Sequence, residues 1–133
     1  MTLKGTPREV VLELYRLWDE QGVEAALAHV SPELEWIEPE LAVGRESRRG
    51  VDNALENYES WTGSYEDYGG EIESVEDRGE RVLVHFIQRG TPRGGSKPVE
   101  GSVYQLWTVR DGLAVRMQMF FDADEARAAL YDS

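Results

Sequence analysis

The chain has 133 residues, of which 41% are hydrophobic, 30% are charged and 10% are aromatic. This composition is typical of a packed domain of ordinary size and is too apolar for an intrinsically disordered protein. The 26 acidic and 14 basic residues give a net charge of −12, which repels phosphate backbones and anionic membrane surfaces, so we expect neither a nucleic acid nor a membrane as a partner.

The sequence contains no cysteine, which excludes disulfides, thiolate metal sites and cysteine nucleophiles. The N-terminus has no apolar signal core, and no segment reaches the roughly 18 apolar residues that a membrane span needs. We therefore expect a cytoplasmic protein with a single domain over 1–133. The two histidines are far apart, and zinc-helix, calcium-loop and phosphate-loop patterns are missing, so we expect no metal and no other cofactor.

Two helices are predicted at the start of the chain. Thr6 and Glu9 form a typical capping box, and apolar residues then recur at helical spacing until Gly22, which predicts a first helix over 7–21. The short alanine-rich segment 23–30 predicts a second helix, which ends before the following proline.

A short strand and a third helix follow. The strand is predicted to end at Pro39, because Leu34, Trp36 and Glu38 share one parity of an alternating run. After a polar, glycine-bearing loop, helical spacing returns and predicts a third helix that includes Tyr58 and Trp61 and closes at Gly63.

The second half of the chain has the alternating pattern of β-strands. Strands are predicted over 71–77, 81–89, 99–110 and 113–121, with turns between them. Asp122 can cap a fourth helix at the end of the chain. Consecutive strands joined by short turns are antiparallel, and helices placed ahead of them indicate an α+β fold.

The predicted helices close over a curved antiparallel sheet and leave an apolar, aromatic-lined pocket. The inward parities of the elements place candidate ligand-binding residues there, although such stripes are more often simply core. Both interpretations hold together if the pocket is the unfilled centre of the core. The candidates are Trp18, Trp36, Tyr58, Trp61, Val103, Trp107, Met117, Met119 and Phe121.

The order of elements over residues 7–131 resembles the cone-shaped nuclear transport factor 2-like superfamily, a cystatin-like α+β roll. Within it, the SnoaL-like polyketide cyclase and ketosteroid isomerase-like branches are the most similar. The markers are Glu35-Trp36 with Glu38-Pro39, Arg49-Gly50, the segment 106–112, and Phe120-Phe121-Asp122. The resemblance implies a small hydrophobic molecule in the pocket and a homodimer formed through the outer face of the sheet. It implies no particular reaction, because the superfamily holds several kinds of enzyme and also non-catalytic binders.

The resemblance also implies roles for individual residues. Tyr15, which precedes Gly22 by seven positions, matches the oxyanion-binding tyrosine of the isomerase branch, and Glu38, directly before a proline, matches its base. The position of the acid donor carries Gln105, whose amide donates a hydrogen bond but cannot transfer a proton. Asp122 lies where the epoxide hydrolases of the superfamily carry an acid.

The sequence leaves two hypotheses open. In the first, the protein is a cofactor-free isomerase, cyclase or hydrolase in which Glu38 is the base and Tyr15 and Gln105 polarise an oxygen. In the second, it is a non-catalytic ligand-binding or dimerisation module, in which Glu38 forms a salt bridge and Tyr15 is an ordinary core residue. Asp122 has a helix cap as its alternative role. The inward parity of the strand that carries His85 is not determined by its pattern.

Overall fold

A computed structural model describes residues 5–37 and 48–132, with a few side chains within that range left undescribed. Helix α1 (Pro7–Gln21) begins as predicted, because the Thr6 side chain accepts a hydrogen bond from the Glu9 amide while the Glu9 carboxylate accepts one from the Thr6 amide. It ends at Gly22, whose φ of 98° lies in the region that favours glycine.

Helix α2 is shorter than predicted. It covers only Val23–Leu27, and strand β1 then runs over Val30–Ile37 and includes Pro32. The proline is tolerated because the pairing of β1 with its neighbour is irregular between Val30 and Glu35, so no regular ladder bond is lost there.

The remaining elements follow the predicted order, with the addition of a two-residue strand before the third helix. They are β2 (Arg48–Arg49), α3 (Val51–Thr62), β3 (Gly69–Arg78), β4 (Arg81–Gly90), β5 (Val99–Arg110), β6 (Leu113–Phe120) and α4 (Ala123–Tyr131). The β5–β6 hairpin turns at Asp111 and Gly112, with φ of 52° and 78°, the pair of positive angles that a tight hairpin requires.

The described strands form one sheet in the order β2-β1-β6-β5-β4-β3. The predicted α+β class with a curved sheet is confirmed. The sheet is mixed, whereas a purely antiparallel one was expected, because β1 lies parallel to β6 with Trp36 beside Met117. The connection from β1 to β6 contains α3 and the other strands of the β3–β6 meander. Because it is not a tight turn, it does not impose an antiparallel direction on the two strands.

The two faces of the sheet have separate apolar clusters. On the inner face, Val84, Val103 and Trp107 pack with residues of α1 in the main core. On the outer face, Leu83 and Leu106 pack against Ala126 and Leu130 of α4. The leading helices therefore cover the inner face, and α4 covers part of the outer face. The site lies on the inner face, between the leading helices and the sheet.

Candidate functional site

A hydrogen-bonded row of three side chains crosses the interior between α1 and β5. Gln105 and Trp107 are two residues apart on β5, so both point to the inner face, where Tyr15 of α1 packs over them. The Trp107 indole Nε1 donates to the Tyr15 hydroxyl at 3.0 Å, and that hydroxyl donates to Gln105 Oε1. The row connects the centre of the core to the polar end of Gln105.

The chemical state of Tyr15 follows from its burial. Removal from water raises the pKa of the Tyr15 hydroxyl far above its usual 10.0, because the phenolate would lose its hydration, and the hydrogen bond from Trp107 only partly offsets this. Tyr15 is therefore a neutral donor near neutral pH. Gln105 is also uncharged, so this end of the site offers hydrogen bonds without charge.

A cavity of about 550 Å³ lies beside this row, between α1 and the β3–β4 side of the sheet. Its walls combine aromatic rings, three glycines and a small number of charged side chains. The lining residues are Leu12, Tyr15, Arg16, Trp18, Asp19, Gly22, Val23, Tyr58, Tyr68, Gly69, Gly70, Glu71, Ile72, Phe86 and Gln105. The volume is that of an ordinary small-molecule site.

Aromatic contacts fix the shape of this cavity. The rings of Tyr15 and Trp18 are nearly parallel, with centroids 5.9 Å apart, and Phe86 lies 6.0 Å from Tyr15. On the other side of Trp18, the Tyr58 ring meets it edge to face at 4.7 Å, and Trp18 Nε1 donates to the Tyr58 hydroxyl at 2.9 Å. Tyr58 continues to Tyr68 at 6.3 Å. These rings form a continuous apolar wall.

Gly70 lets β3 approach β4 closely beside that wall. A Cβ atom at this position would lie 2.1 Å from the carbonyl oxygen of Ile87 and 2.7 Å from the Phe86 ring. No side chain fits at this position without displacing backbone. The close approach of β3 to β4 and Phe86 therefore requires glycine at position 70.

The structure places the predicted site residues in three groups. Tyr15, Trp18, Tyr58 and Gln105 line the cavity together. Five others, predicted as part of its floor or walls, are fully buried in the core and do not belong to its described lining. These are Trp36, Val103, Trp107, Met117 and Met119. Trp107 still acts on the site through its hydrogen bond to Tyr15.

The third group lies outside the cavity or outside the described residues. Phe121, predicted to share the parity of Met119, follows the end of β6 and is 40% exposed. Asp122 accepts hydrogen bonds from the amides of Asp124 and Glu125, which is the capping role given as its alternative. Glu38 and the Trp61 side chain lie outside the described part of the chain.

The two histidines are both outside the cavity lining. His85 stacks on Tyr104 with centroids 4.5 Å apart and its Nε2 lies 2.9 Å from Ser102 Oγ, on the parity opposite to Val84. His29 is half-buried, and its Nδ1 has no hydrogen-bond partner among the residues that the structure describes. Within residues 5–37 and 48–132, no cluster of histidine and acidic side chains is arranged to hold a metal ion.

Sequence reasoning missed much of the β3–β4 wall. Tyr68, Gly69 and Gly70 precede the predicted start of the strand, and Phe86 belongs to the strand whose parity was left open. The short turn at Gly79 pairs Val84 with Val75, and Val84 also pairs with Gln105. This register was a usable signal, because once Gln105 is placed inward, Val84 and then Phe86 must face the same side.

None of the helices in the described ranges is long and apolar enough to cross a membrane.

Comparison with known structures supports the same architecture. An NTF2-like protein from Burkholderia thailandensis E264 superposes with a TM-score of 0.79 at 24% identity, over 93% of this chain and 98% of that one. TerC, co-crystallized with polyporic acid, has a TM-score of 0.74 at 24% identity, over 96% and 98%. A protein provisionally described as a SnoaL-like polyketide cyclase, from Mesorhizobium loti, has a TM-score of 0.72 at 17% identity, over 88% and 100%.

At these identities the likeness shows the fold alone, and it is the fold that the family resemblance implied. No curated protein matches the sequence. The sequence pattern of the SnoaL-like domain family matches residues 11–117, which include most of α1, Gln105 and Trp107 on β5, and most of β6. The chain belongs to the SnoaL-like domain family.

Proposed function

We propose that the cavity binds a small, mostly apolar aromatic molecule that carries a hydrogen-bond-accepting oxygen. The observation that supports this most directly is Gln105, which is only 5% exposed and lines the cavity. Its Oε1 accepts from Tyr15, while its amide nitrogen donates no hydrogen bond within the described residues. That nitrogen can donate to a ligand oxygen in the cavity, and a neutral hydrogen bond of this kind contributes about 0.5–1.5 kcal/mol.

The preceding members of the row strengthen Gln105 as a donor. Trp107 donates to Tyr15 and Tyr15 donates to Gln105, and hydrogen bonds in such a chain polarise one another. Because burial keeps Tyr15 neutral and its proton is donated to Gln105, the inner end of the cavity offers the uncharged Gln105 amide as its donor and no positive charge. This environment suits a carbonyl or ether oxygen better than a carboxylate, which would be desolvated without a counter-ion.

The walls of the cavity suit an aromatic ligand. Trp18, Tyr58 and Phe86 present rings against which a flat molecule can stack or pack edge to face. TerC, whose fold is similar, has been co-crystallized with polyporic acid.

Binding is tested with matched pairs of aromatic ketones and the corresponding hydrocarbons, measured by calorimetry. In Gln105→Met, which keeps the length of the side chain and removes its donor, ketone affinity is expected to fall about two- to tenfold, since a neutral hydrogen bond contributes about 0.5–1.5 kcal/mol. Hydrocarbon affinity should be unchanged. Gln118→Met, on β6 away from the cavity lining, is the control. Equal binding of both compounds to the wild type would contradict the proposal.

Acid–base chemistry is the second function that we propose for the same site. Neutral donors aimed at a carbonyl oxygen stabilise the enolate that forms when a neighbouring proton is removed. Gln105 cannot supply a proton, so the reaction requires a carboxylate base, for which Glu38 is the residue that the family resemblance implies. An isomerisation, cyclisation or epoxide opening without a cofactor is the expected class.

Catalysis is distinguished from simple binding by Glu38→Gln. With a ketone or epoxide that binds, we expect turnover to fall about 10²- to 10⁴-fold while affinity is retained, because a general base acts on the reaction and not on the resting complex. Glu33→Gln, an exposed acid earlier in β1, is the matched control. Turnover that is unchanged in Glu38→Gln would reject Glu38 as the base, and the absence of turnover in the wild type would favour the non-catalytic alternative.

A further inference from the structure

The direction of the hydrogen bonds in the interior row is set by its first member, Trp107. An indole nitrogen carries a hydrogen and has no lone pair with which to accept, so Trp107 Nε1 can only donate. It donates to the Tyr15 hydroxyl at 3.0 Å. Because Trp107 is 2% exposed, water has little access to the nitrogen, and the hydrogen bond has to be made to the protein. The Tyr15 oxygen is therefore occupied as an acceptor.

The next hydrogen bond in the row follows from this one. Burial raises the pKa of Tyr15 far above its usual 10.0, so the hydroxyl keeps its proton near neutral pH. Since its oxygen already accepts from Trp107, Tyr15 binds Gln105 by donating to the amide oxygen Oε1. The reverse orientation of the Gln105 amide would place two donors on one phenolic oxygen and leave the Tyr15 proton without that acceptor. The amide nitrogen is consequently the group that Gln105 offers to the cavity.

The Trp107 side chain is held at the centre of the sheet. On β5 it pairs with Val82 of β4 and Met117 of β6, both of which are fully buried. Its ring meets the Tyr15 ring edge to face, with centroids 6.1 Å apart and an angle of 81° between the planes. Trp107 does not belong to the described lining of the cavity. An effect of its N–H on a ligand therefore has to pass through Tyr15 and Gln105.

We infer that Trp107 is a positioning residue that makes the cavity select hydrogen-bond acceptors over donors of the same shape. This inference rests on the proposed function, in which Gln105 binds an oxygen of the ligand. With the indole N–H present, the amide has one favoured orientation and offers its nitrogen. Without it, the Tyr15 oxygen is free to accept from Gln105 Nε2, so either amide orientation makes one hydrogen bond to Tyr15. The cavity can then offer the amide oxygen to a donor as well.

Three flat tricyclic probes of similar shape test this role. Fluorenone has an accepting carbonyl, carbazole has a donating N–H, and fluorene has neither group. Calorimetry gives their affinities for the wild type and for a protein in which Trp107 alone is replaced, by nonsense suppression, with β-(3-benzothienyl)alanine. That side chain has sulfur in place of the indole N–H and keeps the two fused rings, so it fills the same space in the core. The same replacement of Trp36, which is also 2% exposed and outside the lining of this cavity, is the control.

The wild type should bind fluorenone about two- to tenfold more tightly than either other probe, since one neutral hydrogen bond distinguishes them. The benzothienyl replacement at position 107 should bring the affinities for fluorenone and carbazole toward each other, and the replacement at position 36 should leave their ratio unchanged. Trp107→Phe, which also removes the donor but leaves a void in the core, should shift the ratio in the same direction. In Gln105→Met the replacement at position 107 should have no further effect on the ratio, because the side chain through which Trp107 acts is missing.

The outcomes separate this inference from the proposed function. A ratio of fluorenone to carbazole affinity that is the same in the wild type and in both Trp107 variants overturns the inference and leaves the proposed function intact. A shift in the ratio that persists in Gln105→Met also overturns it, since the effect would then come from repacking of the core. Equal binding of fluorenone and fluorene by the wild type rejects the proposed function itself.

Discussion

Replacement of Tyr15 by phenylalanine removes one hydroxyl from the centre of the hydrogen-bonded row and leaves the ring in place. The hydroxyl accepts from Trp107 Nε1 at 3.0 Å and donates to Gln105 Oε1. Trp107 is 2% exposed and Gln105 is 5% exposed, so water has little access to either. The substitution therefore leaves two buried polar groups without their partner.

The expected cost follows from these two groups. Each buried polar atom left unpaired costs about 1–3 kcal/mol, and some relaxation of Gln105 toward the cavity reduces the sum, so we expect Tyr15→Phe to lower the free energy of unfolding by about 2–4 kcal/mol. For a chain of this length, that corresponds to a decrease in Tm of about 6–16 °C. Urea unfolding followed by tryptophan fluorescence measures the change directly.

Tyr58→Phe is the matched control. The Tyr58 hydroxyl accepts from Trp18 Nε1 at 2.9 Å, but both residues are only half-buried and water can replace the hydroxyl. A loss below about 1 kcal/mol is expected. If Tyr15→Phe costs no more than Tyr58→Phe, the row does not have the energetic role assigned to it.

The effect of Tyr15→Phe on the free energy of unfolding depends on pH. The pKa of Tyr15 is raised in the folded state by burial, so the neutral hydroxyl stabilises the fold at pH values below its unfolded pKa of 10.0. That contribution is lost as the pH rises above 10.0 toward the folded-state value. The advantage of the wild type over Tyr15→Phe should therefore be constant near neutral pH and should shrink in alkaline solution. An advantage that grows above that pH would contradict the assignment.

Three further predictions concern the scaffold. Thr6→Ala should lower the free energy of unfolding by about 1 kcal/mol, measured in urea, because α1 loses its N-cap; no change would argue against the capping box. Leu130→Ala should cost about 2–5 kcal/mol, since Leu130 is fully buried between α4 and the outer face, and a cost below 1 kcal/mol would show that α4 is loosely held. Light scattering should give a homodimer with twice the 15.1 kDa mass of the chain, and a mass of 15.1 kDa would contradict it.

Local sequence signals predicted most of the scaffold. The capping box at Thr6, the stop at Gly22 and the Asp111-Gly112 turn are short-range features, and each lies where it was expected. The predicted end of α2 and the predicted antiparallel direction of β1 were wrong for a common reason. Both depend on β1 pairing with β6, a contact between segments distant in the chain, which propensity and alternation do not encode.

The site was predictable only in part for a similar reason. Tyr15 and Gln105 were singled out by family resemblance, and the structure brings their side chains into contact. Met117 and Met119 have the correct inward parity, but the strand parity does not distinguish a residue in the filled core from one at the edge of the cavity. That distinction depends on where α1 leaves the sheet uncovered, which is a property of packing rather than of pattern.

The parallel pairing of β1 with β6 also bears on how the chain folds. Trp36 is buried against a strand that contains Met117, so this part of the core has no partner until most of the polypeptide has been made. The β3–β6 meander, by contrast, pairs strands that are neighbours in sequence, so closing its loops costs little conformational entropy. We expect the meander to form early and the docking of β1 to be a late, slow step, during which the apolar side of β1 is exposed to solvent and to other chains.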